Sequence, residues 1–318
     1  MIKKKRGLFR QIGKGIFLAL YTMMLAGLVV SGLAVQRIDH NFKYVGTTYA
    51  NTVDVDGVRY FYREAGENNS QTILMIHGFL GSSYDFIDVM NQLKDRYHVI
   101  AVDMIGFGLS EKPIDFNYAK QNQAQGLVNF LDALEIDEVT IMAHSMGGEV
   151  SIHLAHDFPD YVKEMILIGS GGYVEESQNG AMPTNIPMFV YDYVVRNYYI
   201  QRTFFFTAYA QDEIDTGRIT YHDFDEMYFV NKTIPGNILQ AFTRDNDSGS
   251  TNEKLAHILQ PTLLIWGEFD SFIPLATGIK LQLAMADVAQ LVVMNDAGHL
   301  PFDTYFDEFM IHVEEFIT

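Results

Sequence analysis

The chain has 318 residues, 48% of them hydrophobic and 19% charged, with no cysteine and a formal net charge of −18. That length and apolar fraction suit one large or two modest cored domains, and 13% aromatic residues exclude a disordered or collagen-like chain. Without cysteine there are no disulfides, thiolate nucleophiles or cysteine-ligated metals, and an acidic total is the reverse of the basic face a nucleic-acid binder carries.

The net charge conceals a split. Every charge before Asp39 is positive (Lys3, Lys4, Lys5, Arg6, Arg10, Lys14 and Arg37), leaving 15 basic residues against 40 acidic ones in the remainder. Between the basic cluster and Arg37, Ile16 to Val35 is an uncharged apolar run of 20 residues. As a helix at about 1.5 Å per residue it spans roughly 30 Å, the hydrocarbon thickness of a bilayer. Basic residues ahead of such a span stay on the cytoplasmic side, so the expected organisation is a basic cytoplasmic N-terminus over 1–15, a transmembrane signal anchor over 16–35, a linker over 36–50, and an extracytoplasmic domain over 51–318. The alternative is a secreted protein released by signal cleavage, because Gly32-Leu33-Ala34 offers a small-x-small site. The apolar run exceeds the roughly 7–15 residues of a signal peptide's apolar region, which favours the anchor.

Beyond the linker, Val53 to Tyr62 alternates around Asp56-Gly57 and predicts a β-hairpin. Short apolar runs follow at Ile73–Ile76, Val99–Val102, Val139–Ala143, Met165–Ile168, Leu263–Trp266 and Leu291–Met294, with the composition of buried parallel strands. Helical spacing lies between and after them, at Phe86–Leu93, Ala124–Leu134, Glu149–Phe158, Leu275–Ala286 and Phe306–Phe316. Such alternation predicts an α/β fold with a mostly parallel central sheet flanked by helices. From about Val174 to Asn252 the strand signal stops and aromatics crowd in, which predicts a helical cap inserted between two strands.

The sharpest chemical signal is Ala143-His144-Ser145-Met146-Gly147-Gly148, after a strand and opening a helix. A tight strand-to-helix turn forces a serine outward, and small residues two before and two after it let strand and helix nearly touch. Ala143 stands where glycine is usual, a departure that keeps the small size. The new helix aims its first N–H groups at the space above Ser145, as an oxyanion requires. Alone, the pattern also fits a helix-capping serine. His77-Gly78-Phe79-Leu80-Gly81-Ser82 follows an earlier strand, and its glycines allow close backbone approach, so the N–H of Phe79 can join that of Met146 as a second oxyanion donor. Trp266-Gly267-Glu268-Phe269-Asp270 ends a later strand with acids, and Asn295-Asp296-Ala297-Gly298-His299 puts a histidine after the last one.

The order serine, acid, histidine, together with HGFLGS, DMIGFGLS from Asp103, AHSMGG, WGEFD and DAGHLPF, resembles the α/β-hydrolase fold family over nearly all of residues 52–317. Within it the chain is similar to membrane-anchored serine lipases and esterases of the monoacylglycerol-lipase-like type. The resemblance and the chemistry together imply Ser145 as nucleophile, His299 as general base and Asp270 as the acid that orients the imidazole. Glu268 and Asp296 are the competing acids. The implied activity is hydrolysis of carboxylic esters, of lipid or acylglycerol origin, with no metal or organic cofactor. A carbon–carbon bond hydrolase or perhydrolase on the same residues, and a non-catalytic surface-binding homologue, are the rival readings. Aspartate-nucleophile dehalogenases and epoxide hydrolases are set aside because the nucleophile position holds serine.

Other features incline to structure. Asp103 with Gly106 and Gly108 reads as a structural loop. His153 and His156 read as helix packing, since no zinc set completes around them. Asp245-Asn246-Asp247-Ser248-Gly249 lacks the later ligands of a calcium loop and reads as a polar turn. His144 could line the pocket, and the cap aromatics divide between the cap's own core and an acyl-facing wall.

Overall fold

The computed structural model describes residues 2–36, 48–174, 186–246 and 250–317. Most of the expected linker, Asp247-Ser248-Gly249 of the polar turn, and 175–185 of the expected cap lie outside the described residues.

Eight strands form one sheet: β1 (Ala50–Val55), β2 (Val58–Ala65), β3 (Thr72–Ile76), β4 (His98–Val102), β5 (Val139–His144), β6 (Val162–Ile168), β7 (Thr262–Gly267) and β8 (Ala289–Met294). Their order is β1-β2-β4-β3-β5-β6-β7-β8. β1 and β2 are antiparallel to their neighbours and every later pair is parallel. The hairpin turns at Asp56 and Gly57, both with positive φ (52° and 83°), the geometry whose twist matches the flanking strands.

The apolar runs of β3 to β7 are strands because both of their faces are covered, whereas the run expected to be a buried strand at Leu291–Met294 lies in β8 at the sheet edge and is only partly buried, with Val293 exposed. On β5, Ile141 and Ala143 join the core beneath α3 (Lys120–Ala133), α4 (Met146–Asp157) and α11 (Leu275–Met285). Met142, between them, joins the opposite core beneath α2 (Ile87–Leu93) and α13 (Phe306–Phe316). β4 and β7 alternate in the same way, so period-2 side chains serve two layers of helices.

Between β6 and β7 the described chain is helical: α5 (Met188–Arg196), α6 (Tyr198–Thr207), α7 (Gln211–Asp215), α8 (Tyr221–Asn231), α9 (Gly236–Arg244) and α10 (Asn252–Leu255). Tyr198, Phe205, Tyr209, Phe224 and Tyr228 form a third core of their own within this insertion. Aromatics serve here because short helices must bury large areas with few side chains, roughly 150–250 Å² each.

α1 (Ile2–Val35) extends through the basic cluster as well as the apolar run. Within it, Leu18–Val35 is long and apolar enough to cross a membrane, the one such stretch among the described residues. Its last turns touch α5 and α6. The Ser31 hydroxyl donates to the Arg196 carbonyl (3.2 Å) and accepts from the Tyr198 N–H (2.7 Å), bridging the corner between those two helices. α12 (Pro301–Thr304) links the His299 loop to α13.

Candidate active site

The parallel strands deliver the candidate residues to one edge of the sheet. Ser145 is the residue between β5 and α4, with φ 53° and ψ −118°. A non-glycine residue in that region carries about 1–3 kcal/mol of strain, held here by surrounding bonds. Its N–H donates to the Ile168 carbonyl (2.9 Å), and its carbonyl accepts from Gly148 and Gly171. Ala143 and Gly147, the small residues flanking the turn, are both buried.

The loop after β3 closes on this turn. A Cβ on Gly78 would lie 2.9 Å from the Cβ of Ser145 and 2.9 Å from Nδ1 of His144, so the backbone preceding Phe79 touches the serine turn directly. His77 organises that loop. Its Nδ1 lies 2.7 Å from the Gly78 carbonyl and must donate, while Nε2 accepts from the Met104 N–H at 3.0 Å. Both bonds fit a neutral imidazole, and burial lowers its pKa in the same sense. Asp103 braces the loop from below. One of its oxygens takes the Ser83 N–H and the other the Leu109 N–H, each at 2.6 Å, the structural part expected of it.

Asp270 and His299 come from the loops after β7 and β8 and meet at 2.7 Å, Oδ2 to Nδ1, with both residues buried. The other Asp270 oxygen accepts from the N–H groups of Phe272 (2.9 Å) and Ile273 (2.8 Å), which fixes the carboxylate. The loop is tied in turn by the indole of fully buried Trp266, donating to the Ile273 carbonyl (2.8 Å). Of the competing acids, Glu268 and Asp296 are both exposed. With Nδ1 engaged by Asp270, Nε2 is the other ring nitrogen of His299, a residue that lines the cavity.

His144 packs its ring 4.5 Å from that of His299. Its Nε2 donates to the His299 carbonyl at 3.1 Å, and burial next to His299 holds its pKa well below the usual histidine range. It is therefore a neutral strut. His153 bonds Thr251 Oγ1 (3.1 Å) inside the α4 layer, and no metal-binding group of His, Asp or Glu forms among the described residues.

Ser145, His299, His144 and Phe79 line one cavity of about 620 Å³ between the sheet edge and the insertion. The insertion contributes Phe204, Phe205, Met227 and Ile219, and the β7 loop adds Phe272. Another part of the wall is polar: Tyr84, Asp85, Asp88, Tyr209, Asp223 and Asp303. Burial raises the Asp85 carboxyl to about 7, and the Tyr209 hydroxyl donates to Asp303, which is exposed, at 2.8 Å. No motif in the sequence marks this acidic wall. Its carboxylates come from a short helical turn, α2, α8 and α12, with no spacing to connect them.

The family described as alpha/beta hydrolase fold matches residues 71–305, and the chain belongs to it. An uncharacterized hydrolase of Bacillus subtilis, YugF, is 30% identical over 270 residues, covering 83% of this chain and 96% of the relative. Lipase 1 of Psychrobacter immobilis is 29% identical over 260 residues, covering 79% and 78% respectively. Among solved structures, a membrane phospholipase A described as a bacterial virulence factor superposes with a TM-score of 0.69 at 23% identity, covering 100% of this chain and 98% of its own. The chain is thus an α/β hydrolase with lipase-named relatives.

Proposed function

We propose that the protein is a serine ester hydrolase acting on lipid-derived esters, with Ser145 as nucleophile, His299 as general base and Asp270 as orienting acid. The observation that carries this is the 2.7 Å Asp270–His299 pair, whose histidine lines the same cavity as a serine in a strained strand-to-helix turn. Ser145 Oγ attacks the ester carbonyl while Nε2 of His299 takes its proton, and the carbonyl oxygen gains the negative charge. The N–H groups of Phe79 and Met146 receive that oxyanion, each contributing roughly 10²–10³ in rate. Collapse expels the alcohol, protonated by His299, and leaves an acyl-serine. Water, deprotonated by the same histidine, then releases the carboxylic acid and restores Ser145.

The two kinds of cavity wall support an ester that joins an apolar chain to a hydroxyl-bearing alcohol, such as a monoacylglycerol. Phe204, Phe205 and Phe272 suit the acyl chain, and the carboxyl and phenol groups suit hydroxyls. The name of the Psychrobacter relative agrees with that class. We read α1 as an uncleaved single-pass anchor with the N-terminus in the cytoplasm and the domain outside. The acidic domain is repelled by anionic headgroups, so the anchor supplies the membrane proximity.

A fluorophosphonate probe should label the wild-type chain and leave Ser145→Ala unlabelled. Equal labelling of both would remove the assignment.

A further inference from the structure

The backbone of His299 is held by the helical insertion as well as by the sheet, whose His144 bonds the His299 carbonyl. The His299 N–H donates to the Ala208 carbonyl (2.6 Å), just beyond α6. The preceding N–H, of Gly298, donates to Oε2 of Glu213 on α7 at 3.2 Å. That same oxygen accepts the Ala210 N–H (2.5 Å), and the other Glu213 oxygen takes the Thr304 hydroxyl. Glu213 has no exposed surface. A Cβ on Gly298 would lie 2.6 Å from the Ala208 carbonyl and 2.8 Å from Glu213 Oε2, so the two segments are in direct contact. Arg218 continues the seam by donating to the Thr304 carbonyl (2.7 Å), with its guanidinium over the Tyr305 ring.

Helix capping explains only part of this. A glutamate at the third position of α7 that reaches back to the Ala210 N–H is ordinary N-terminal capping. A cap on a five-residue helix does not require full burial, nor two further donors from the histidine loop. We propose that Glu213 is a positioning residue for His299, clamping the backbone of the histidine loop to the insertion so that the imidazole is aligned only while α7 is docked. The proposal rests on the serine-hydrolase reading above. Asp270 orients the ring through Nδ1, whereas Glu213 and Ala208 fix where the ring's backbone stands.

The clamp depends on reach and acceptor geometry, not on charge. Glutamine keeps the reach: its carbonyl oxygen can take both backbone N–H groups and its amide can donate to the Thr304 hydroxyl oxygen. Aspartate keeps the charge but is one methylene too short to hold the Ala210 and Gly298 amides together. The test measures kcat and KM of full-length wild type, Glu213→Gln, Glu213→Asp and Glu213→Ala in detergent on a p-nitrophenyl ester, with Ser145→Ala as the blank. Thermal melting is followed in parallel. The expected order is wild type and Glu213→Gln within about threefold in kcat, Glu213→Asp roughly tenfold lower, and Glu213→Ala lower still, all with KM within about twofold, as loss of a transition-state-only interaction requires. Should Glu213→Ala fail to fold, the Gln-to-Asp order decides the matter. An aspartate variant as active as the glutamine variant or more so, or KM rising in step with the fall in kcat, overturns the proposal. Turnover by Ser145→Ala equal to wild type would instead remove the underlying reading, and is seen before any Glu213 variant is compared.

Discussion

The two sides of the cavity are built by different rules. The sheet side holds Ser145 and Asp270 just past the buried strands β5 and β7, and His299 past the edge strand β8, where parallel hydrogen bonding fixes the backbone. The insertion side is made of short helices cemented by aromatic contacts and joined to the sheet side through a few side-chain bonds and the His299–Ala208 backbone bond. Rigid delivery suits atoms that must meet within a few tenths of an ångström, and short helices suit a wall that must adapt to a chain. The difference predicts that substitutions on the sheet side lower kcat, whereas those along the cavity wall change substrate choice and stability.

The severest break is at the nucleophile. Ser145→Ala should lower kcat/KM by about 10⁴-fold or more on a chromogenic ester. Ser145→Gly should be equally inactive yet melt higher than the alanine variant, because glycine relieves the strain at φ 53°. Next, Asp270→Asn should cost about 10³–10⁴-fold, while Glu268→Gln and Asp296→Asn stay within about twofold, since both are exposed and His299 is bonded to Asp270. Comparable losses at all three acids would mean that the observed pair does not serve the reaction.

A smaller effect belongs to the wall. A neutral monoacylglycerol should be turned over roughly tenfold faster than a lysophospholipid of the same chain bearing an anionic phosphate, because Asp88 and Asp223 face the cavity and repel a like charge. Competition between the two in one assay reads the ratio directly, and a ratio near one would strip the acidic wall of its role in selection.

The smallest concerns Asp85. In the unfolded chain its carboxyl ionises near 3.8, whereas burial beside Asp103 holds it protonated up to about 7 in the fold, against the opposing pull of Arg63 and the Ser82 N–H. Folding therefore retains a proton that the unfolded chain gives up, so stability falls as pH rises from about 3.8 and the loss is complete above about 7. Asp85→Asn should raise the melting temperature by roughly 2–4 °C at pH 8 and leave it nearly unchanged at pH 4. A shift of equal size at both values would break the argument.

Which parts could be read from the sequence follows the same division. The inner strand runs stand out because covering both faces demands nearly continuous apolar residues, and the helices of the sheet layers because one stripe must face those strands. Ser145, Asp270 and His299 could be picked out since each sits in a compact motif just past a strand. Glu213, Asp303 and Tyr209 could not. Their partners lie 85 to 94 residues away, and nothing local distinguishes them from the many acids and aromatics of the insertion. A faint signal existed for Glu213, a glutamate in the first turn of a short helix, but it points to capping and not to the histidine loop. Phe205, on the ten-residue α6, and Tyr209, two residues beyond its end, each do two things, packing the insertion's own core and lining the cavity.

The Ser31 bridge gives the choice between an anchored and a secreted protein a structural meaning. Ser31 is almost fully buried at the corner of α5 and α6, three residues before the small-x-small site's Ala34, whose side chain packs on the aromatic core of the insertion. A peptidase cutting after Ala34 would carry away the acceptor of the Tyr198 N–H and the donor to the Arg196 carbonyl, opening a seam in the enzyme. Anchored and released forms would then be two different catalysts, and the leader would be as much a wall of the folded protein as a tether.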